Sequence, residues 1–199
     1  MSLAMAEATP DGGFLEADEL LRTWLELDVP DGWRAEIVDG KITIMAPPSK
    51  PHNFIAHLLH RTLTKAAPDD LGVFQTLGVG IPALGEVYIP DLVVIPEDAV
   101  EGDPSNPHPA EDALLVVEIV SKSSAEADRR KKLRGYAHAP VPLYLLIDSW
   151  AEEGAASFLY ETPKDGAYLK RTTVRFGDPL YLPEPFDLEV DTKRFPRPE

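Results

Sequence analysis

The sequence predicts an α/β (α+β) fold in which a central mixed β-sheet is flanked by helices and followed by a C-terminal antiparallel meander. The apolar stretch ALLVVEIV at 113–120 is typical of a strand buried on both faces. A helical pattern at about 124–139 and a strand at 142–148 follow it, and this order is the crossover that joins parallel strands. The last 50 residues alternate apolar and polar positions as a meander does, with Phe158, Tyr160, Tyr168, Val174 and Tyr181.

The elements before the buried strand are predicted in order from local patterns. Leu20, Leu21, Trp24 and Leu25 have helical spacing within residues 18–28, after a possible Asp18 cap. The dipeptide Asp39-Gly40 between RAEIV and KITIM predicts a type I′ hairpin. Further along we expect a helix at 51–66, two or three strands within 72–95, and a solvated, acidic, proline-rich loop at 96–112.

Length and composition indicate one globular domain. We expect the domain at 16–192, with a disordered leader at 1–15 and a proline-rich tail at 193–199. No apolar run approaches the roughly 18 residues that span a bilayer, so no membrane partner is expected. The chain has no cysteine, which excludes a disulfide framework and suits a cytoplasmic location.

The net charge of −15 argues against non-specific affinity for nucleic acid. Positive charge is nevertheless concentrated between Ser121 and His138, a segment that contains six basic residues and two acidic ones. Such a segment could contact phosphates, and it could equally be an ordinary solvated helix face.

Two carboxylates in the predicted central strands are the informative anomaly. Glu118 lies inside the apolar stretch, where an ionised carboxylate is costly without a partner or a metal. Asp91 begins the strand DLVVI directly after Pro90. Two acids on neighbouring strands would repel each other unless a cation lay between them, and oxygen ligands favour Mg²⁺ or Mn²⁺ over zinc.

An ordered set of motifs over residues 18–150 resembles the Uma-type restriction endonucleases, a bacterial family of the PD-(D/E)XK nuclease superfamily. The set consists of Glu36-Ile-Val-Asp-Gly, Pro47-Pro-Ser with His52, Pro90-Asp91, Val117-Glu118-Ile-Val-Ser121, Asp128, Lys132, Tyr136, Tyr144 and Ile147-Asp148. This resemblance implies a restriction-endonuclease-like fold with Asp91 and Glu118 as catalytic metal ligands. It also implies that the Ile119 carbonyl and Glu36 contribute to the metal site, and that the protein acts as a homodimer.

The chain departs from the superfamily pattern at one position. The motif lysine would stand at 120, where this sequence has valine. We interpret Lys132, which matches a position that the family retains, as its catalytic substitute, with Lys122 as an alternative. Asp128, Lys132 and Tyr136 share one helix face at i, i+4 and i+8.

Each assignment has a structural alternative. Glu118 could pair with an internal base, Glu36 could be solvated opposite Thr43, and His52 could cap or pack as readily as support the substrate. Asp128 and Lys132 could form only an i, i+4 ion pair worth about 0.3–0.5 kcal/mol.

The function expected from this sequence is metal-dependent hydrolysis of phosphodiester bonds in nucleic acid, with DNA as the expected substrate. A non-catalytic binding or assembly module that retains the fold would also explain Val120 and the net charge. Hydrolysis of a small phosphoester is a third possibility. Convergence of Asp91, Glu118 and a lysine ammonium on one open pocket would favour catalysis.

Overall fold

A six-stranded mixed sheet lies at the centre of the computed structural model, which describes residues 17–197. The helices are α1 (Ala17–Leu25), α2 (Lys50–Ala66), α3 (Glu97–Val100) and α4 (Leu133–His138), and a π-helical stretch, Ala127–Lys132, leads directly into α4. The strands of the first half are β1 (Arg34–Val38), β2 (Lys41–Met45), β3 (Leu71–Phe74), β4 (Val79–Ile81), β5 (Glu86–Tyr88) and β6 (Leu92–Pro96). Those of the second half are β7 (His108–Pro109), β8 (Leu115–Ile119), β9 (Leu143–Asp148), β10 (Ala156–Lys164), β11 (Ala167–Arg175), β12 (Pro179–Leu182) and β13 (Leu188–Asp191).

The strand order of the central sheet is β11-β10-β9-β8-β6-β3. Strands β8 and β9 pair in parallel, and the other neighbours pair antiparallel. Every residue of β8 is buried, as the continuous apolar stretch predicted. The predicted central mixed sheet, with a helical crossover between its two parallel strands, is therefore confirmed.

Helices cover both faces of this sheet. Because side chains alternate along a strand, Leu115 and Val117 pack with Leu59 and Leu63 of α2 on one face. Val116 packs with Tyr136 of α4 on the other face. The two apolar layers hold the strands between them and leave the ends of β6 and β8 near the start of the π-helical stretch.

A second sheet, of order β2-β1-β5-β4-β7, carries one residue of the candidate site. Its hairpin turns at Asp39 and Gly40, whose φ values of 56° and 70° are both positive, as a type I′ turn requires. The predicted hairpin is therefore confirmed. Strand β1 places Glu36 three positions before this turn, in a fully buried part of the strand.

Residues 72–110 contain more regular structure than the sequence predicted. Four strands, β3 to β6, occupy the region where two or three were expected. The segment expected to be a solvated loop contains α3 and the short strand β7, and His108 in it is 3% exposed. The expectation of full solvation is wrong because the His108 N–H donates to the carbonyl of Gly78 when β7 pairs with β4.

The C-terminal strands are antiparallel, but they form two units. Strands β10 and β11 extend the central sheet beyond β9, whereas β12 and β13 form a separate hairpin. This hairpin packs on the α2 face of the sheet, and Phe195, within the segment expected to be a tail, packs with it.

At the N-terminus, α1 begins at Ala17, so Asp18 lies in its first turn rather than at a cap. The segment 1–15, expected to be a disordered leader, falls outside the described residues. Within residues 17–197 there is no helix with the length and apolar character needed to cross a membrane.

Candidate active site

Asp91 and Glu118 lie side by side on neighbouring strands. The last paired residues of β6 and β8 are Leu92 and Val117, and Asp91 and Glu118 are each one position beyond them. Asp91 is two positions from Val93, and Glu118 is two positions from Val116. Side chains two positions apart on a strand lie on the same face, so both carboxylates are on the α4 face of the sheet, where Val93 and Val116 pack. The two carboxylates line one cavity of about 590 Å³, which is open to solvent and has the exposed Lys122 in its lining. The structure thus brings together the two carboxylates that the sequence singled out.

The Asp91 carboxylate is held by donors on both oxygens. Arg34 donates from Nη1 and Nη2 to Oδ1, both at 3.3 Å. His52 Nε2 lies 3.0 Å from Oδ2, and the Ile119 N–H donates to the same oxygen at 2.8 Å. Burial raises the pKa of Asp91, but His52, Arg34 and the Ile119 N–H together hold that pKa below its ordinary value.

Sequence reasoning did not identify Arg34. Its partner Asp91 is 57 positions away, so no local pattern pairs the two. The usable signal was the position of Arg34 two residues before Glu36, which places both side chains on the same face of β1.

Glu118 is bound through one oxygen. Lys132 Nζ and the Tyr136 hydroxyl both donate to Oε1, at 3.0 and 2.8 Å. The hydrogen bonds found among residues 17–197 include none to Oε2, although the carboxylate lines the cavity. Burial and the nearby acids Asp128, Asp91 and Glu36 raise the pKa of Glu118 well above its usual range, and Lys132 only partly offsets them.

Lys132 is 2% exposed, and its side chain points inward from the π-helical stretch. Its Nζ lies 2.8 Å from Glu36 Oε1, 3.0 Å from Glu118 Oε1 and 3.5 Å from Asp128 Oδ1. Burial lowers the pKa of Lys132, but these three carboxylates raise it well above its usual value, so the ammonium stays charged. The alternative of a simple helix ion pair is wrong, because Asp128 is the most distant of its three partners.

Glu36 is an internal residue of the cluster. It is 1% exposed, and its Oε1 accepts the Ile89 N–H at 2.7 Å as well as the Lys132 ammonium. The alternative of a solvated Glu36 is therefore wrong: the hairpin turns this side chain toward Lys132 rather than toward solvent.

Asp128 is buried, and one of its carboxylate oxygens has no hydrogen-bond partner. It is 1% exposed, and its Oδ1 accepts no hydrogen bond. Burial raises its pKa to about 6, because the charge of Lys132 and a Ser124 hydrogen bond offset only part of the desolvation. Asp128, Lys132 and Tyr136 all point inward, as their helical spacing predicted.

The other predicted residues surround this cluster. Val120, at the position of the missing lysine, is 4% exposed in the apolar core. Lys122 is exposed at the cavity, with Nζ 4.3 Å from the ring centroid of Trp150. His52 supports Asp91, and its Nδ1 is buried without a partner.

Much of the basic segment between Ser121 and His138 is already paired. Arg129 makes a two-pronged contact with the buried Asp148, at 2.7 and 3.1 Å, and donates to the Trp150 carbonyl. Lys131 lies 3.4 Å from Asp39, and Lys132 is inside the cluster. Lys122, Arg130 and Arg134 are exposed, so three of the six basic side chains of this segment remain available at the surface.

The residues around the cavity fit a divalent cation in the kind of donor they offer. Asp91, Glu118 and Asp128 line the cavity together with Arg34 and Lys132, and a fourth acid, Glu36, contacts Lys132. The four carboxylates exceed the two basic side chains, which leaves an excess of negative charge when all are ionised. Carboxylate oxygens are the donors that Mg²⁺ and Mn²⁺ prefer. Within residues 17–197, however, no three acidic, histidine or cysteine side chains are already grouped as metal ligands.

Comparison with solved structures supports the fold. The chain is similar to a putative nuclease belonging to DUF820 from Anabaena variabilis, with a TM-score of 0.67 and 16% sequence identity. The match covers 91% of this chain and 97% of that one. At this identity the likeness shows the fold, and the predicted restriction-endonuclease-like architecture is confirmed.

The match to a protein-family model covers nearly the same part of the chain as the match to the solved structure. The search of curated proteins found no match. The Uma2 family, described as "Putative restriction endonuclease", matches residues 18–193. Because this match covers most of the sequence, the chain belongs to the Uma2 family.

Proposed function

We propose that this protein is a divalent-metal-dependent endonuclease that hydrolyses phosphodiester bonds in DNA. The observation that carries the proposal is the convergence of Asp91, Glu118 and the Lys132 ammonium on one cavity that opens to solvent. A buried lysine held by carboxylates is common in structural ion pairs, but such pairs do not need an open cavity or a second acid on the neighbouring strand.

The proposed ligands for Mg²⁺ or Mn²⁺ are Asp91, Glu118 and the Ile119 carbonyl, with a contribution from Glu36. A cation held there would bind the scissile phosphate and lower the pKa of an attacking water. The free Oε2 of Glu118 is the donor best placed for this role, because both protein hydrogen bonds go to Oε1. The excess of carboxylates over fixed cations supports the same assignment.

The other side chains have positioning roles in this proposal. His52 and the Ile119 N–H orient Asp91, and the Tyr136 hydroxyl orients Glu118. Lys132 supplies the positive charge that offsets charge developing on the phosphate oxygens. Lys122, at the cavity mouth, is available to contact the substrate backbone.

A cleavage assay on labelled DNA and RNA, with Mg²⁺, Mn²⁺ or a chelator, tests this function. Wild type should cut DNA only with added metal, and Glu118→Gln should lose about a hundredfold or more of the rate. Glu161→Gln is the matched control, since Glu161 is also a buried strand acid but pairs with Lys170 on the outer strands. Equal activity of both variants, or cleavage in chelator, would contradict the proposal.

A non-catalytic binding module is a second candidate function, favoured by the hydrogen bonds that Asp91 already accepts. Both of its oxygens already have protein donors, so a metal would have to compete with Arg34. If this candidate is correct, wild type should bind nucleic acid in gel-shift assays without cutting it under any metal condition.

A further inference from the structure

A second cavity, of about 490 Å³, lies on the other side of Asp91 and His52 from the candidate metal site. The two cavities share a wall formed by Arg34, Pro48, His52, Ile89 and Asp91. The volume is within the range of roughly 300–1,000 Å³ for sites that bind small ligands. A group bound in the second cavity would therefore adjoin whatever is bound at Asp91.

The lining of this second cavity combines two indole rings with side-chain amides. Trp24 is fixed in place because its Nε1–H donates to the Ala35 carbonyl at 2.6 Å. Trp33 is half-buried, and no hydrogen bond among residues 17–197 engages its Nε1–H. Gln75 is exposed at the rim, and Asn53 uses only its amide N–H, toward Pro48. Flat aromatic surfaces beside unused donors and acceptors are the features that bind an unstacked base.

We propose that this cavity binds an unpaired nucleobase of the substrate next to the phosphate at Asp91. The enzyme would then act where a base is already unpaired, in a single strand or in an unpaired region of a duplex. This inference rests on the proposed nuclease function and names its substrate class. The shared wall supplies the geometry, since a base and its own phosphate are joined through one sugar and must occupy adjoining sites.

The charge of the protein supports recognition through the base. Proteins that bind duplex DNA through its backbone use many unpaired lysines and arginines. This chain has 34 acids against 19 bases, and Arg34, Arg129 and Lys132 are held by acids. Because this net charge weakens the attraction to the phosphate backbone, base stacking would supply a larger share of the binding free energy.

Fluorescence anisotropy with the full-length protein tests the proposal without requiring cleavage. The probes are a labelled single-stranded oligonucleotide, its fully paired duplex, and the same single strand carrying one abasic site at each position in turn. Trp33→Ala should weaken single-strand binding roughly tenfold and leave duplex binding unchanged, whereas Trp33→Phe, which keeps a ring, should lose less. Tyr181→Ala, which removes an exposed aromatic from the β12–β13 hairpin, is the matched control and should bind as wild type does.

The abasic series uses the wild-type protein, so it remains decisive if Trp33→Ala fails to fold. One abasic position should weaken binding to wild type roughly tenfold, and Trp33→Ala should not weaken it further. Wild-type binding that is insensitive to every abasic site, or equal losses on single strand and duplex, would overturn the base pocket. If binding depends on the base but no cleavage is found, the base pocket stands and the nuclease function is rejected. If the protein cleaves but its binding does not depend on any base, the nuclease function stands and the base pocket is rejected.

Discussion

Lys132 Nζ lies 3.0 Å from Glu118 Oε1, although the two residues are 14 positions apart and belong to different elements. The lysine comes from the helical segment that follows β8 rather than from β8 itself. Position 120, two residues after Glu118, is left to a buried valine in the apolar core. The positive charge expected beside the two carboxylates is therefore present, and it comes from the helical segment on the α4 face of the sheet.

Lys132→Met should abolish most cleavage and also destabilise the fold. Removing the ammonium leaves Glu36, Glu118 and Asp128 facing one another, and breaking a buried pair in this way costs about 3–5 kcal/mol. Urea unfolding and single-turnover cleavage, both well below the melting temperature, measure the two effects.

Lys131→Met is the matched control, because the neighbouring Lys131 contacts an exposed Asp39. Its free energy of unfolding should change by less than about 1 kcal/mol, and its cleavage rate should stay the same. If Lys132→Met cuts as well as wild type, Lys122 becomes the candidate for the catalytic lysine.

Adding Val120→Lys to Lys132→Met should restore part of the lost cleavage. The side chain at 120 has the same alternation as Glu118, so a lysine there starts on the correct face of β8. Recovery will be partial, because Val120 is buried and the new stem has to displace apolar contacts. The comparison is the rate of the double variant with that of Lys132→Met alone; no gain would mean that position 120 cannot direct an ammonium to the cavity.

Mg²⁺ or Mn²⁺ should raise the melting temperature of the wild-type protein. A cation that binds the folded state stabilises it by mass action, by about 2.7 kcal/mol when its concentration is a hundred times Kd. Asp91→Asn should show a much smaller shift in a thermal melt, while Asp69→Asn, an exposed aspartate before β3, should shift as wild type does. Identical shifts in the two variants would place the metal elsewhere.

Without metal, Asp128 should make the fold less stable as pH rises from about 4 to 6. The pKa of this carboxyl rises from 3.8 to about 6 on folding, so the folded state holds its proton more tightly than the unfolded chain does. The resulting stability is present at acid pH and is lost as pH increases through the folded pKa. A difference of about two in pKa corresponds to roughly 3 kcal/mol.

Asp128→Asn should lack this dependence, which urea titrations from pH 4 to 7 will detect. The Asp91 carboxyl has the opposite sign, because its pKa is lowered on folding; its stabilisation is lost only as pH falls below the ordinary value of 3.8, which is outside this range. If the free energy of unfolding has the same pH dependence in wild type and in Asp128→Asn, Asp128 does not titrate in this range.

The protein should form a two-fold dimer at micromolar concentration, because an open edge of its central sheet can pair with the same edge of a second copy. Strand β11 is an edge of the central sheet, and its Leu169 is 64% exposed. Sedimentation equilibrium should give twice the chain mass for wild type and a lower mass for Leu169→Lys, if this edge is the contact. A monomeric wild type would remove the dimer while leaving the catalytic proposal intact.

Local patterns were sufficient to predict the parts of the fold that depend on neighbouring residues. The Asp39-Gly40 turn, the buried β8 and the inward face shared by Asp128 and Lys132 each follow from spacing within one or two elements. Glu118 could be singled out because a carboxylate in an apolar strand is costly wherever that strand lies.

Contacts between distant segments could not be predicted in the same way. Arg34 reaches Asp91 across 57 positions, and Glu36 reaches Lys132 across 96. Neither contact leaves a periodic trace, because each depends on how the two sheets pack. The pairing of β7 with β4 is similar: a two-residue strand in a proline-rich segment is too short to show alternation.

The π-helical stretch Ala127–Lys132 sets the direction of the Lys132 side chain. Each wide turn of this kind holds one more residue than an α-helical turn, so everything after it is rotated relative to a regular helix. We expect that deleting one residue here would let the segment relax to α-helix and turn the Lys132 ammonium away from Glu36 and Glu118. A change of chain length within Ala127–Lys132 should therefore disrupt the site even when every side chain of the cluster is kept.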